Sequence, residues 1–507
     1  EVEELIIMNQ SLSLLFFLSC LLCSALAKEV SVTVGSEVIV NLPLRYAGLT
    51  LDISELVHNP TNCPFTDPVL IRYSQNLAPL RIRIGGNQQD TLWYPTDGQD
   101  PPNPLPPGYL NVFNLTNWLN VCDLAKAANF TLLFGINGGR GPRPHVNGPW
   151  NSSQARSFIQ YNNENCHVVD AYDLTNEPNF LKMHYGDDFI VSPQRLAKDT
   201  YTFQQLVQET APQGTPAVAM SFGLEVPGWI EDFVIHWLED FLKADPVFDI
   251  FSYHWYPLVS EEYNSTFPPS LDPFYAAPSK VLDPWVLEQI ALADHSVRTK
   301  LEDNNKPTER WITETGSAVG SGQDGLSNAF ADGFEYLDKL GHAASMGVTS
   351  LNRQTLCGYN YGIMYWNETT SSLLIRPSYY TTVLYGRLVG EEVYEATVGG
   401  QKRGKVRVYA FSGKSTSSTS TVLLFVNTHD SSTTIDVTLP GTAPTNRSDY
   451  ILTSGDGSLS SYTMKLNGKL IVDDGTGVLP PLDPVVTTTD VTSVVVPEES
   501  YGFLVFE

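Results

Sequence analysis

Residues 29–41 (EVSVTVGSEVIVN) alternate valine with polar residues, the period-two pattern of a half-buried strand. From about residue 48 the pattern changes to short apolar segments separated by helical stretches, which is typical of βα units. This pattern predicts strands at residues 48–53, 80–85, 131–137, 168–175, 216–222, 248–256, 310–315 and 348–354. Eight such units favour a (β/α)8 barrel over an open doubly wound sheet. A nucleotide-binding sheet has little support, because no Gly-x-Gly-x-x-Gly follows an early strand.

Helical periodicity lies between most of these predicted strands. The clearest helices are predicted at 193–210, with a proline near the start, at 226–243 and at 326–346. Alternation of strands and helices in this order is what a parallel barrel requires.

After about residue 390 the composition shifts to Thr, Ser and Val, and short alternating segments are separated by turn signals. This pattern predicts an antiparallel β-sandwich. We therefore expect an α/β protein with a (β/α)8 TIM barrel at residues 48–388 and a C-terminal antiparallel β-sandwich domain at 389–507. The early strand, within residues 28–47, is expected to join the sandwich.

The first 27 residues are interpreted as a signal peptide and the residues preceding it. From Met8 an apolar run ends in Ala25-Leu26-Ala27, the small-x-small pattern of a secretory cleavage site. A buried N-terminal helix or a membrane anchor is the alternative. Removal of this segment would leave a secreted, extracellular protein without a membrane contact.

Other features of the chain are typical of secreted proteins. Four cysteines follow the predicted signal segment, Cys63, Cys122, Cys166 and Cys357, and they can form up to two disulfides whose pairing the sequence leaves open. Their spacing matches no zinc motif, and no metal or organic cofactor is expected. Asn-x-Ser/Thr sequons, each a candidate N-glycan site, occur at Asn114, Asn129, Asn151, Asn264, Asn367 and Asn446.

The formal net charge is −26. A surface of this charge repels nucleic-acid backbones and anionic membranes, so nucleic acid is not an expected partner. Long polyanionic ligands are disfavoured for the same reason.

Two carboxylates lie at the predicted ends of barrel strands, where the active sites of such barrels form. Glu177, in the stretch YDLTNEPNF, follows the fourth predicted strand, and Glu314, in RWITETG, ends the seventh. Two carboxyl groups flanking one bond are what glycoside hydrolysis needs. Glu177 suits the general acid, for which a raised pKa is expected, and Glu314 suits the nucleophile. The neighbouring Asn176 can hydrogen-bond a sugar hydroxyl.

Four motifs in this order resemble glycoside hydrolase family 79, the family of β-glucuronidases and heparanases. They are Arg83-Ile84-Gly85-Gly86-Asn87-Gln88-Gln89-Asp90, Thr175-Asn176-Glu177-Pro178-Asn179-Phe180, Thr313-Glu314-Thr315-Gly316-Ser317-Ala318-Val319-Gly320, and Arg353-Gln354 with Asn360-Tyr361. The resemblance covers the whole chain after the signal segment. It implies the acid/base role for Glu177, the nucleophile role for Glu314 and contact between Asn176 and the sugar 2-hydroxyl.

The resemblance also implies a wider set of substrate contacts. Asp52 matches a carboxylate that binds the far sugar hydroxyls, and Tyr361 and the turn at Gly320-Ser321-Gly322 match groups that bind a glucuronate carboxylate. From the residues themselves, Tyr256 is expected to hydrogen-bond Glu314, and His254 to face the barrel mouth. Further candidates are Gln89 and Asp90, and Arg83 is interpreted as a structural ion-pair residue.

The favoured function is an exo-acting, retaining β-glucuronidase that releases terminal glucuronic acid or its 4-O-methyl form from a glucuronide or glycan. The alternatives are a heparanase-like endo-enzyme, another retaining β-glycosidase for neutral sugars, and an inactive carbohydrate-binding protein. Transfer to an acceptor other than water also remains open. Charge disfavours the endo-enzyme, because the segment after the second strand (YPTDGQDPPNPLPPGYL) contains no Lys or Arg.

Overall fold

The computed structural model describes residues 28–57, 63–96, 98, 100–224, 231–263, 274–401, 404–414 and 420–507. The predicted signal segment and the sequon at Asn264 lie outside the described residues, as does the beginning of the helix predicted at 226–243.

The strands and helices alternate through the first three quarters of the chain, and strands follow. The strands are β1 (Lys28–Asn41), β2 (Ala47–Asp52), β3 (Leu80–Gly85), β4 (Leu92–Trp93), β5 (Asn111–Val112), β6 (Phe130–Ile136), β7 (Val169–Leu174), β8 (Ala217–Gly223), β9 (Ile250–Trp255), β10 (Arg310–Thr315), β11 (Val348–Arg353), β12 (Met364–Asn367), β13 (Ser372–Ile375), β14 (Val389–Gly399), β15 (Val406–Gly413), β16 (Thr421–Asn427), β17 (Thr433–Thr438), β18 (Arg447–Ser454), β19 (Met464–Leu466), β20 (Lys469–Leu470), β21 (Val485–Thr487), β22 (Ser493–Val496) and β23 (Ser500–Phe506). The α-helices are α1 (Pro68–Leu77), α2 (Leu115–Ala127), α3 (Ser153–Asn165), α4 (Leu181–Tyr185), α5 (Pro193–Thr210), α6 (Glu231–Lys243), α7 (Pro284–Asp303), α8 (Asp332–Ser345) and α9 (Pro377–Leu388).

Eight parallel strands form a closed barrel in the order β2-β3-β6-β7-β8-β9-β10-β11. The predicted (β/α)8 barrel is therefore confirmed. The predicted bounds of β3, β10 and α5 match the structure, and α5 begins where predicted because Ser192 caps it by accepting a hydrogen bond from the Arg195 N–H.

Helix α8 begins at Asp332 rather than at the predicted residue 326. The preceding residues form a turn whose N–H groups bond to the other domain: Phe330 N donates to Ser461 O (2.8 Å) and Ala331 N to Leu459 O (2.9 Å). Hydrophobic periodicity cannot predict this later start of α8, because the acceptors that bind these N–H groups lie far away in the sequence.

Outside the barrel, eleven strands form one sheet in the order β20-β19-β18-β23-β16-β15-β14-β1-β17-β22, with β21 beside β18. The pairs are antiparallel except for β1 with β17, which is parallel. The early strand β1 thus lies in this sheet, between β14 and β17. One face of the sheet buries its own apolar core, which includes Val32, Phe425 and Val496.

The other face of the sheet packs against the barrel through α8. Gly333 permits this close approach, because a Cβ at that position would lie 2.1 Å from the Tyr501 hydroxyl. Tyr501 in turn donates a hydrogen bond to Phe330 O (3.0 Å). Helix α8 therefore couples the sheet to the barrel strands that carry the candidate site.

Two disulfides link Cys63 to Cys357 and Cys122 to Cys166, which resolves the pairing that the sequence left open. Among the sequon residues within the described ranges, Asn129 and Asn151 are exposed and the others are half-buried. No helix in the described part of the chain is both long enough and apolar enough to cross a membrane.

Candidate active site

A pocket of about 250 Å³ opens at the C-terminal ends of the barrel strands. It is lined by Asp52, Ser54, Gly86, Asn87, Gln88, Glu177, Met183, His184, Tyr263, Glu314, Val319, Gly320, Ser321, Gln354, Tyr359 and Tyr361. Six of the predicted site residues therefore reach the pocket: Asp52, Glu177, Glu314, Gly320, Ser321 and Tyr361. The volume is at the small end for ligand sites and suits one sugar ring.

Glu177 lies three residues beyond the end of β7, in a loop with left-handed backbone at Thr175 (φ 68°) and at Glu177 itself (φ 45°). The Glu177 N–H donates to Ser221 O (2.9 Å), which anchors the loop to the next strand. The carboxylate contacts two imidazoles. His254 Nδ1 is 2.7 Å from Oε1, and His184 Nε2 is 3.4 Å from Oε2.

Glu314 is held by two donors on its two oxygens. Arg83 Nη1 donates to Oε2 (2.7 Å), and Tyr256 OH donates to Oε1 (2.8 Å). Of these two bonds, the one from Tyr256 was predicted from the sequence. Arg83 and Tyr256 are almost fully buried, so both donors are fixed by packing. Charge-assisted hydrogen bonds of this kind fix the orientation of the carboxylate.

His254 joins the two carboxylates. Its Nδ1 is 2.7 Å from Glu177 Oε1 and 3.9 Å from Glu314 Oε2. These two distances add to 6.6 Å, so the two oxygens cannot lie further apart than that. Two carboxyl groups this close can act on a single glycosidic bond.

Glu177 does not have the raised pKa that the sequence argument expected. Burial alone would raise it, but the hydrogen bonds and positive charge of His184 and His254 outweigh burial and lower the pKa of Glu177. The expectation was wrong because it considered burial and neighbouring carboxylates, whereas the structure places two imidazoles beside this carboxylate.

Asn176, Gln89 and Asp90 were candidates for substrate contact, but they are buried and are not among the residues that line the pocket. Asn176 Oδ1 accepts from Arg83 Nη2 (2.6 Å), and Gln89 Nε2 donates to Ile136 O (3.1 Å). Asp90 is fully buried and accepts from Asn176 N (2.7 Å), Thr175 Oγ1 (3.0 Å) and Gly138 N (2.9 Å). Asp90 therefore shapes the loop that carries Glu177.

The turn after β10 reaches the pocket, which Gly320 and Ser321 line. Gly320, Ser321 and Gly322 all have left-handed backbone, with φ of 84°, 62° and 75°. Among the described residues, no acceptor is recorded for these three N–H groups. Successive N–H groups in a turn can form a concave anion-binding site, and we call residues 320–322 the nest. Tyr361 lines the pocket beside this nest.

Asp52 lies at the end of β2 and lines the same pocket. Its Oδ1 accepts from Ser54 N (2.9 Å), and burial raises its pKa. The carboxylate is thus held at a fixed position on the opposite side of the barrel from β8, where a sugar hydroxyl can reach it.

Sequence reasoning missed His184 and the partner of Arg83. Arg83 is buried and ion-paired, as interpreted from the sequence, and its partner is Glu314. An arginine near the end of a barrel strand was the available signal. His184 was not singled out, and no periodicity marks it. Helix α4 brings it back over Glu177, where its Nδ1 also lies 3.5 Å from Asn87 Nδ2.

Asp173 gives the site a testable pH dependence. It is fully buried, and burial raises its pKa to about 6, against an opposing effect of Arg83. Because the folded pKa exceeds the unfolded value, the stabilisation is present at low pH and is lost as pH rises from about 4 to about 6. Asp173→Asn mimics the protonated form. Between about pH 4 and 7, wild type should lose roughly 2 to 3 kcal/mol of unfolding free energy relative to this variant.

The measurement is chemical unfolding at a series of pH values, with the exposed Asp123→Asn as control. Parallel stability curves for wild type and Asp173→Asn would contradict the expected linkage.

A closed barrel with two carboxylates converging at the C-terminal ends of its strands is typical of glycoside hydrolases. Within the described residues, no group of three side chains is placed to hold a metal ion.

Comparison with known proteins gives the family. Residues 59–341 match the model of glycosyl hydrolase family 79, N-terminal domain, and the chain belongs to this family. It is 26% identical to baicalin-β-D-glucuronidase of Scutellaria baicalensis, covering 94% of this chain and 92% of that protein. It is 30% identical to heparanase of Bos taurus, covering 75% of this chain and 66% of that protein.

The fold is shared with a 4-O-α-L-rhamnosyl-β-D-glucuronidase from Fusarium oxysporum 12S, solved as a crystal structure. The TM-score is 0.61 at 16% identity, covering 94% of this chain and all of that one. This likeness supports the predicted architecture of barrel and sheet domain.

Proposed function

We propose that this glycoside hydrolase is an exo-acting, retaining β-glucuronidase. The observation that carries the proposal is the nest at residues 320–322, of which Gly320 and Ser321 line the same pocket as Glu177 and Glu314. Its N–H donors suit the carboxylate of a glucuronic acid whose glycosidic bond lies between the two glutamates. The relationship to a baicalin-β-D-glucuronidase supports the same substrate class.

The pocket favours terminal sugars over sulfated chains. Its described lining contains three carboxylates and neither Lys nor Arg. An endo-enzyme acting on sulfated polysaccharides needs cations along an extended cleft, since each sulfate must be neutralised. The small volume and the acidic lining therefore favour the exo-enzyme over a heparanase-like one.

The proposed mechanism is a double displacement. Glu314, oriented by Arg83 and Tyr256, attacks the anomeric carbon while the C1–O bond breaks and Glu177 protonates the leaving oxygen. Water, deprotonated by Glu177, then breaks the glycosyl–Glu314 ester and releases glucuronic acid with retained configuration. An upper limit of 6.6 Å between the carboxylate oxygens supports retention, which needs a shorter separation than inversion does.

His254 and His184 contact the carboxylate of Glu177 and lower its pKa, which favours the ionised form that deprotonates water in the second step.

The decisive assay compares three substrates with one leaving group: 4-nitrophenyl β-D-glucuronide, β-D-glucoside and β-D-xyloside. We expect kcat/KM for the glucuronide to exceed the others by at least about 100-fold, because only the glucuronide carboxylate satisfies the nest. Faster hydrolysis of the glucoside or xyloside would assign the enzyme to neutral sugars instead. A secreted location, which the two disulfides support, belongs to the same proposal.

A further inference from the structure

The segments that follow β2 and β11 meet over one side of the pocket. Ser54 Oγ and Tyr359 OH form a hydrogen bond of 3.1 Å across this side. Behind it, the disulfide Cys63–Cys357 joins the same two segments. We call Ser54, Tyr359 and this disulfide the closing wall.

The closing wall is held rigidly on the β11 side. Arg376 Nη1 donates to three carbonyls of that segment, those of Tyr359 (3.1 Å), Asn360 (3.2 Å) and Gly362 (3.1 Å). Asn360 N donates to Ser321 O (2.9 Å), which ties the segment to the nest. The wall therefore moves only if these contacts break together.

Barrel topology places the closing wall opposite the acid/base. In the ring of eight strands, β7, which leads to Glu177, is four places from β11, which leads to Tyr359. The leaving group departs on the side of Glu177, since that residue protonates its oxygen. In a pyranose ring, C4 is the atom across from C1. The C4 end of the sugar thus points toward the closing wall.

Tyr359 is suited to this position. Its backbone has a left-handed φ of 52°, which turns the chain so that the side chain lines the pocket at the rim, where it is 41% exposed. The negative charge of Asp52, together with burial, raises the pKa of Tyr359 to about 12, so the phenol stays a donor.

We infer that the closing wall, through the ring of Tyr359, blocks substituents at C4 of the bound sugar and thereby restricts the enzyme to unsubstituted terminal glucuronides. This inference rests on the proposed function. It explains how a barrel mouth that could form an open cleft ends instead in a pocket for one sugar.

The test uses two substrates, 4-nitrophenyl β-D-glucuronide and the same compound carrying a neutral sugar on O4. Wild type should hydrolyse the O4-substituted compound at least about 100-fold less efficiently. Tyr359→Gly removes the ring and suits the left-handed backbone. It should raise the ratio of kcat/KM for the substituted compound to kcat/KM for the plain glucuronide at least about tenfold.

Three variants complete the experiment. Tyr359→Phe loses the hydrogen bond to Ser54 but keeps the ring, so it should still exclude the O4-substituted compound. Tyr359→Asn, which also tolerates left-handed backbone, repeats the test if the glycine variant does not fold. Tyr201→Ala, at an exposed site on α5, should behave as wild type.

Wild-type hydrolysis of both compounds at similar rates, or no gain in either folded Tyr359→Gly or Tyr359→Asn, would overturn the inference. Failure of the proposed function looks different, because wild type would then not cleave the plain glucuronide, and the inference would fall with it.

Discussion

Replacing Glu314 by glutamine should lower kcat for an aryl β-glucuronide by at least about 10⁴-fold while leaving sugar binding nearly intact. The amide has almost the same shape, but it cannot form the glycosyl ester. Arg83 and Tyr256, which hold the two carboxylate oxygens at 2.7 and 2.8 Å, would still orient the side chain. The loss should therefore appear in kcat rather than in affinity.

The measurement pairs steady-state kinetics with calorimetric binding of glucuronic acid. The matched control is Glu309→Gln, which changes an exposed glutamate just before the start of the same strand β10, at the opposite end of the barrel. It should retain wild-type kinetics. Activity of Glu314→Gln within tenfold of wild type would remove Glu314 from the reaction.

Local patterns were sufficient to predict the barrel. Strands such as β6 (FTLLFGI) and β8 (AVAMSFG) are largely apolar because both faces are buried, and the helices between the barrel strands show clear periodicity. The pairing of β1 with β17, by contrast, joins strands about 400 residues apart in the chain. In the sequence, only the alternation of valine and polar residues along β1 indicated that this strand lies in the sheet.

The site was less predictable than the fold, because its electrostatics depend on side chains that meet only after folding. The placement of Glu177 and Glu314 at strand ends followed from the barrel count. The direction in which the pKa of Glu177 shifts could not be predicted in this way, because it is set by His254 from β9 and His184 from α4. The sequence showed two carboxylates but gave no distance from either imidazole.

The pairing of Cys63 with Cys357 illustrates the same limit. The two residues are 294 positions apart, and four cysteines allow three connectivities. The barrel brings them together because β2 and β11 are neighbours in the closed ring, although they lie near opposite ends of the barrel segment. Closure of the ring is thus the physical reason that the closing wall exists.

Replacing Glu177 by alanine should lower kcat by roughly 10²- to 10⁴-fold, because the variant lacks the group that activates water against the glycosyl–Glu314 ester. The loss should be larger for an alkyl glucuronide than for 4-nitrophenyl β-D-glucuronide, since nitrophenolate leaves without a proton. Azide needs no general base. It should therefore raise the rate at which Glu177→Ala cleaves the nitrophenyl substrate at least about tenfold.

The configuration of the azide product tests the two roles separately. Azide attacking a glycosyl–Glu314 ester inverts that centre a second time, so Glu177→Ala should yield the β-glucuronosyl azide. Glu314→Ala serves as the counterpart, because azide would then attack the substrate directly and yield the α-azide. NMR of the products distinguishes the two anomers. An α-azide from Glu177→Ala would mean that the roles of Glu177 and Glu314 are exchanged, and that the two imidazoles beside Glu177 serve a nucleophile rather than an acid.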